Sequence, residues 1–271
     1  MAIITISSLM GSGRGTIVKP LAEKLGYSYV DKEAIFAAAE SYGWLKQSLA
    51  KMDERHVTFW ERSEADRRNY FTLVEAIITD FSRRDHVIIV GRGGNVILHG
   101  IAHALRVKLY APFKVRVKRI ANREGINEET AAKVVARSDR ERSSYIRYVF
   151  DADSLNPDLY DLTLNTERLA PGEATDLLAA LADSPSCRPQ PASMEAMEDL
   201  ALESKIRAYL AMDGRVATAW LEVRVEKGKA TLEGLVETEH ERALAEEIVR
   251  AVEGVKQVEN LIGFKLLGTG L

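Results

Sequence analysis

The sequence holds one cysteine, Cys187, in 271 residues, so no intramolecular disulfide can form and the chain suits a reducing compartment. It has no apolar run that could cross a bilayer; the amino-terminal stretch 2–6 is far shorter than the roughly 20 residues required. The amino terminus also lacks a basic segment followed by an apolar core and a cleavage site, so a cytoplasmic protein without membrane association is expected. Charge of one sign is missing as well. A formal net charge of −3 argues against a chain-wide coat for nucleic acid. Among the five histidines His99 and His103 stand four apart, but Gly100 lies between them and no HExxH pattern is present, so no protein metal site is expected.

Proline is sparse, at seven residues, yet three of them fall in SPSCRPQPAS (184–193). That composition predicts an extended, solvated linker. It divides the chain into domains at 1–182 and 195–271, with a linker at 183–194. The charge divides there too. From Met194 onward there are 15 acidic and 10 basic residues, a net of −5, whereas before Asp183 there are 24 and 26, a net of +2.

The first segment alternates strands and helices. Ile3 to Ser7 is a β-branched run that ends in a glycine-rich turn. Thr16 to Leu25 carries Ile17, Leu21 and Leu25 on one helical stripe, closed by Gly26. Further apolar strands are expected at 27–30, 86–90, 105–110 and 159–164, with helical sequence between them, charged over 32–84 and basic after 110. This pattern predicts an α/β domain with a parallel sheet covered by helices on both faces. Ligands of such sheets sit beyond the carboxyl ends of the strands, where the Gly11 turn, Asp31 and Arg92 would gather. The second segment predicts a small α+β domain in the order αββαβ. A helix at 200–211 leads to strands at 220–225 and 230–236 around a Lys227-Gly228 turn, then a helix at 239–252 and a last strand at 258–266. An antiparallel sheet with one buried face is expected there.

The turn SLMGSGRGT (8–16) departs from the phosphate-loop pattern G-x-x-x-x-G-K-[S/T], because Ser8 replaces the first glycine and Arg14 the lysine. Its setting is nonetheless right: a strand before, a helix after, and a hydroxyl at Thr16. Backbone N–H groups ahead of a helix bind phosphate through hydrogen bonds and the helix dipole. A tight structural corner without a ligand is the competing reading. Downstream, Arg116, Arg119 and Arg123 share one helix face, and Arg137, Arg140 and Arg142 follow with Asp139 among them. Such charge can be a solvated helix face. It also suits phosphoryl transfer, where the protein's task is to position and neutralise the moving group.

These motifs resemble the cytidylate kinases, in particular the cytidylate kinase-like branch of the P-loop nucleoside monophosphate kinases. SLMGSGRGT is similar to the family's GPSGSGKGT loop, and YVDKEAI to its strand-end aspartate segment. VGRGGNVIL is similar to its DGRDMGTVVF, LYAPFKVRVKRI to the strand and basic helix of its lid, and YDLTLNT to its last strand. The resemblance covers nearly all of residues 1–182 and implies a P-loop NTPase-type sheet with ATP-dependent transfer to a nucleoside monophosphate, most like CMP or dCMP. Gly11, Ser12, Gly13, Arg14, Gly15 and Thr16 would hold the ATP phosphates. Arg14, Arg119, Arg123 and Arg142 would serve the transferring group, and Asp31, Arg92 and Asp139 the acceptor. Mg2+ would bridge the donor phosphates. Val90 stands where the family has an aspartate that reads the base, and Arg14 where it has lysine. A degenerate nucleotide-binding sensor that signals through the carboxyl-terminal domain is therefore a second reading. Residues 200–266 resemble a BON domain, with a regulatory, small-ligand or homo-oligomerising role implied. Arg67 and Arg68 are further candidates for the acceptor phosphate, and Trp44, Phe59 and Trp60 for the packing of the insert.

Overall fold

The computed structural model describes residues 2–42 and 63–265, so Trp44, Phe59 and Trp60 lie outside the described residues. Two compact units form, residues 2–42 with 84–193, and residues 63–83 with 194–265.

The first unit is built on five parallel strands: β1 (Ile3–Ser8), β2 (Ser28–Val30), β3 (Val87–Val90), β4 (Ala104–Tyr110) and β5 (Leu162–Asn165), in the order β2-β3-β1-β4-β5. β3 reads Val-Ile-Ile-Val and is buried throughout, as expected of a strand covered on both faces. α1 (Arg14–Leu25) and α7 (Pro171–Ala182) cover one face, where Ile17, Leu21 and Leu178 pack with Ile4, Ile6, Val107 and Leu109. Burying each such aliphatic side chain contributes about 1.5–3 kcal/mol. Helical crossovers return the chain to the same end of the sheet each time, so the carboxyl ends of all five strands meet along one edge. α2 (Lys32–Ala38) and α4 (Gly94–Ile97) start from that edge. The basic region forms two helices, α5 (Phe113–Glu124) and α6 (Glu128–Phe150), parted at Gly125, which ends α5 in the left-handed conformation. Val117, Ile120 and Ala121 of α5 pack against Ala131 and Val135 of α6.

The expected linker is not extended. Pro185–Cys187 forms a 3-10 turn, and Pro191 opens a long helix, α8 (Pro191–Asp213). Proline's fixed φ suits the first position of a helical turn, so these prolines start helices here. Cys187 joins the core that α1 covers.

In the second unit α3 (Glu64–Ser82) accompanies β6 (Leu221–Glu226), β7 (Lys229–Val236), α9 (Glu239–Arg250), β8 (Gln257–Asn260) and β9 (Gly263–Phe264). Ile206 and Leu210 of α8 share a core with Val223, Leu232, Leu244 and Val249. The antiparallel expectation holds for β6 and β7 alone, since β8 and β9 pair parallel with β7. The cause is α9, whose crossover brings the chain back to the end where β7 began and so imposes parallel pairing. The single last strand expected at 258–266 is broken into two short ones.

Candidate functional site

Where β1 ends, the chain turns through Gly11 (φ 81°) and Gly13 (φ 83°) into α1. Both lie in the left-handed region that side chains disfavour. Gly11 is also held by space, because a Cβ there would stand 2.9 Å from the Arg116 carbonyl oxygen. The loop's carbonyls are taken up one after another. Arg142 Nη1 donates to Ser8 O (2.8 Å), the Ser12 amide and hydroxyl to Leu9 O (3.1 and 2.7 Å), and Arg116 Nη1 to Met10 O (3.2 Å). Arg119 Nη1 donates to Gly11 O (3.3 Å) and the Thr166 hydroxyl to Ser12 O (3.0 Å). With its oxygens anchored to protein donors, the loop leads into the first turn of α1, where the Thr16 N–H closes back on Gly13 O at 3.1 Å. Thr16 Oγ1 donates to Gly13 O (2.9 Å).

A second left-handed turn follows β3: Gly91, Arg92 and Gly93 have φ of 73°, 56° and 74°. For a non-glycine residue such as Arg92 this conformation costs roughly 1–2 kcal/mol. The turn is held by Gly91 N–H to Ile6 O (3.0 Å) and by the Tyr145 hydroxyl to Arg92 O (3.4 Å). The Arg92 guanidinium stands 5.8 Å from the centre of the Phe36 ring, which Lys32 Nζ approaches at 5.2 Å.

Between these turns opens a cleft of about 340 Å³. Arg14, Asp31, Arg92 and Arg142 all line it, together with Val90. Six cations (Arg14, Lys32, Arg92, Lys108, Arg137, Arg142) outnumber three carboxylates (Asp31, Glu33, Glu141) on its walls. Asp31 caps α2, accepting from Ala34 N–H at 3.1 Å. Burial and then the Asp31 carboxylate raise the pKa of the Tyr29 hydroxyl, while the Arg14 charge opposes them.

The remaining expected residues sit elsewhere. Arg116 is almost fully buried and forks onto both oxygens of Asp139 (3.0 and 2.8 Å), with Nε donating to Ala111 O (2.9 Å). Asp139 therefore faces Arg116. Arg119 holds Thr166 as well as the loop. Arg123 is exposed, pairs with its neighbour Glu124 and does not line the cleft. Arg67 and Arg68 lie on α3, with Arg68 paired to Glu64, outside the cleft lining. His103 is buried between Asp85 and the Ser193 hydroxyl. Among the described residues no group of three His, Cys, Asp or Glu side chains gathers as a metal site, and no helix is long and apolar enough to cross a membrane. Lys108 also lines the cleft, outside every motif named from the sequence. Its signal in the sequence is a second cation, after Arg106, inside a strand whose other residues are apolar or aromatic and which ends at the ligand edge.

Residues 3–168 match the cytidylate kinase-like family and residues 198–265 the BON domain. The cytidylate kinase of Methanopyrus kandleri is 33% identical over 184 residues, spanning 67% of this chain and 93% of that protein. The cytidylate kinase of Pyrococcus horikoshii is 32% identical, over 67% of this chain and 88% of its own length. Among solved structures, an uncharacterized protein from Eubacterium ventriosum shares the fold with a TM-score of 0.54 at 20% identity, over 68% of this chain and 99% of that one.

Proposed function

The chain belongs to the cytidylate kinase-like family and carries a BON domain, and from that premise we propose that it transfers a phosphoryl group from ATP to a nucleoside monophosphate. One observation carries the proposal: Arg14 of the glycine loop and Arg92 of the second glycine turn line the same cleft. Anchors for a donor and an acceptor therefore open onto one space. An acceptor phosphate oxygen attacks the terminal phosphorus of ATP, and ADP leaves. The loop amides of residues 11–16 and Arg14 hold the donor phosphates, Arg92 receives the acceptor, and Arg142 adds charge beside Ser8. The burden on the protein is placement and charge neutralisation, which forked guanidinium groups meet by gripping two oxygens at once. Arg119 and the Arg116–Asp139 pair act as positioning residues, since they hold the loop's carbonyls.

Magnesium fits this site as an ion that arrives with the ATP phosphates. Asp31 is the side chain that would hold it, directly or through water, and it would neutralise phosphate charge. Asp31 lies on the cleft wall and offers the carboxylate such an ion requires.

Val90 presents an apolar wall where a base-reading carboxylate would stand, while the relatives' names point to CMP. A coupled assay with ATP, magnesium and each common monophosphate tests the proposal. Turnover with at least one acceptor, CMP or dCMP foremost, is the expected result; background rates with all of them would refute it. The cytoplasm, where ATP is plentiful, is the proposed setting, and residues 1–182 and 195–271 are the proposed functional divisions.

A specific contact favours a second, regulatory role for the BON domain. Arg207 of α8 donates to Glu75 of α3 at 2.8 Å, and α3 lies within the family-matched stretch. Burial pushes the Glu75 carboxyl up and Arg207 opposes it, so the pair is partly desolvated. If this contact couples the BON domain to nucleotide binding, Arg207→Ala shifts CMP or ATP affinity by about fivefold or more, the lower end of typical site-to-site coupling. Unchanged affinity and oligomeric state would remove the regulatory role.

A further inference from the structure

β4 carries a cation into the cleft that the mechanism above does not use. Leu105, Val107 and Leu109 face the core that α1 covers, so Arg106 and Lys108 fall on the opposite face of the sheet. Lys108 pairs in register with Ser7, just ahead of the glycine loop. It is only 9% exposed, yet it lines the open cleft with Ser7, Ser154 and Tyr160. Its Nζ donates to Ser154 O (2.5 Å) and stands 4.8 Å from the centre of the Tyr160 ring. No carboxylate among the described residues lies within ion-pair distance of it, and Asp153 acts only from further off. Burial lowers its pKa, with Asp153 opposing.

An ammonium has three N–H donors, and one protein carbonyl leaves two of them for a ligand. A buried charge without a counterion is costly, so this position is occupied at the expense of stability unless something enters the cleft to meet it. The surroundings are rich in donors. The Ser7 hydroxyl is turned to Asn95 Oδ1 (2.9 Å), and the Asn95 side chain, in a residue 2% exposed, faces the Tyr160 hydroxyl without a well-formed acceptor for its Nδ2. A ligand here must bring oxygens and negative charge.

We propose that Lys108 binds the phosphate of the acceptor nucleotide. It shares its face of the sheet with Asn95, on the helix that follows Arg92, whereas α1 packs on the other face. That places the ammonium with the acceptor anchor and away from the helix that receives ATP. The proposal rests on the kinase reading. It competes with a purely structural role, in which Lys108 staples the Ser154 carbonyl.

Isothermal titration of the full chain with CMP, cytidine and ATP, alongside Lys108→Met, separates these cases. Wild type is expected to bind CMP at least about tenfold more tightly than cytidine, and Lys108→Met to narrow that gap to about threefold or less with ATP affinity retained. Ligand-free thermal denaturation of Lys108→Met should show a midpoint equal to or above wild type, because an unpaired buried charge has been removed. An undiminished CMP–cytidine gap, or a midpoint several degrees lower, overturns the proposal in favour of the staple. If wild type binds no nucleotide at all, the kinase reading itself fails and this inference falls with it.

Discussion

Arg116→Ala is expected to lower stability by about 3–5 kcal/mol, the usual cost of removing one partner from a buried ion pair. Its guanidinium is almost wholly enclosed and meets Asp139, Ala111 O and Met10 O together. Alanine would strand the Asp139 carboxylate and release two carbonyls at once. At roughly 2–4 °C per kcal/mol for a domain of this size, the melting midpoint should fall by about 10 °C. Thermal denaturation followed by circular dichroism measures this. Arg116→Lys should recover only part of the loss, because an ammonium cannot fork onto both carboxylate oxygens. The double variant Arg116→Ala/Asp139→Ala should lose less than the sum of the single ones, which would assign the effect to the pair. A midpoint unchanged in Arg116→Ala would show that the loop is held by its glycine geometry alone.

Arg14→Ala should reduce kcat/KM by about 10²–10³-fold, the scale seen when one preorganised donor is lost from a site of developing charge, equivalent to about 2.7–4 kcal/mol. Arg14 lines the cleft with Asp31, so truncation removes charge without disturbing the core. Stability should stay near that of wild type, in contrast to Arg116→Ala. Arg14→Lys tests the substitution in the motif. If the guanidinium is a bulkier stand-in for the usual ammonium, lysine should raise turnover. If the guanidinium is itself fitted to the donor phosphates, lysine should lower turnover instead. Steady-state rates at saturating ATP and a range of acceptor concentrations would show which holds.

The glycine loop was legible because its requirements are local: positive φ at Gly11 and Gly13 follows from glycine between a strand and a helix. The gathering of Arg14, Asp31 and Arg92 followed from strand order, since parallel strands bring their carboxyl ends to one edge. Depth was not legible. Arg116, Arg119 and Arg123 share a helix stripe in the sequence, yet their burial is decided by their partners: Asp139 encloses Arg116, Thr166 engages Arg119, and Arg123 pairs with its exposed neighbour Glu124. The depth of Lys108 is hidden in the sequence for the same reason, because Ser154 and Tyr160, which cover it, lie more than 40 residues further along the chain. The proline-rich stretch misled because composition does not distinguish a proline that opens a helical turn from one that extends a linker. In the BON domain, strand periodicity located β8 but not its direction, which the crossover through α9 sets.

A crystal structure with a bisubstrate analogue, two nucleosides joined through a chain of phosphates, tests the central claim most directly. The account predicts a phosphate chain running from the amides of residues 11–16 to Arg92, with Arg14 and Arg142 against its oxygens. An analogue bound elsewhere, or a glycine loop whose amides turn away from the phosphates, would contradict it.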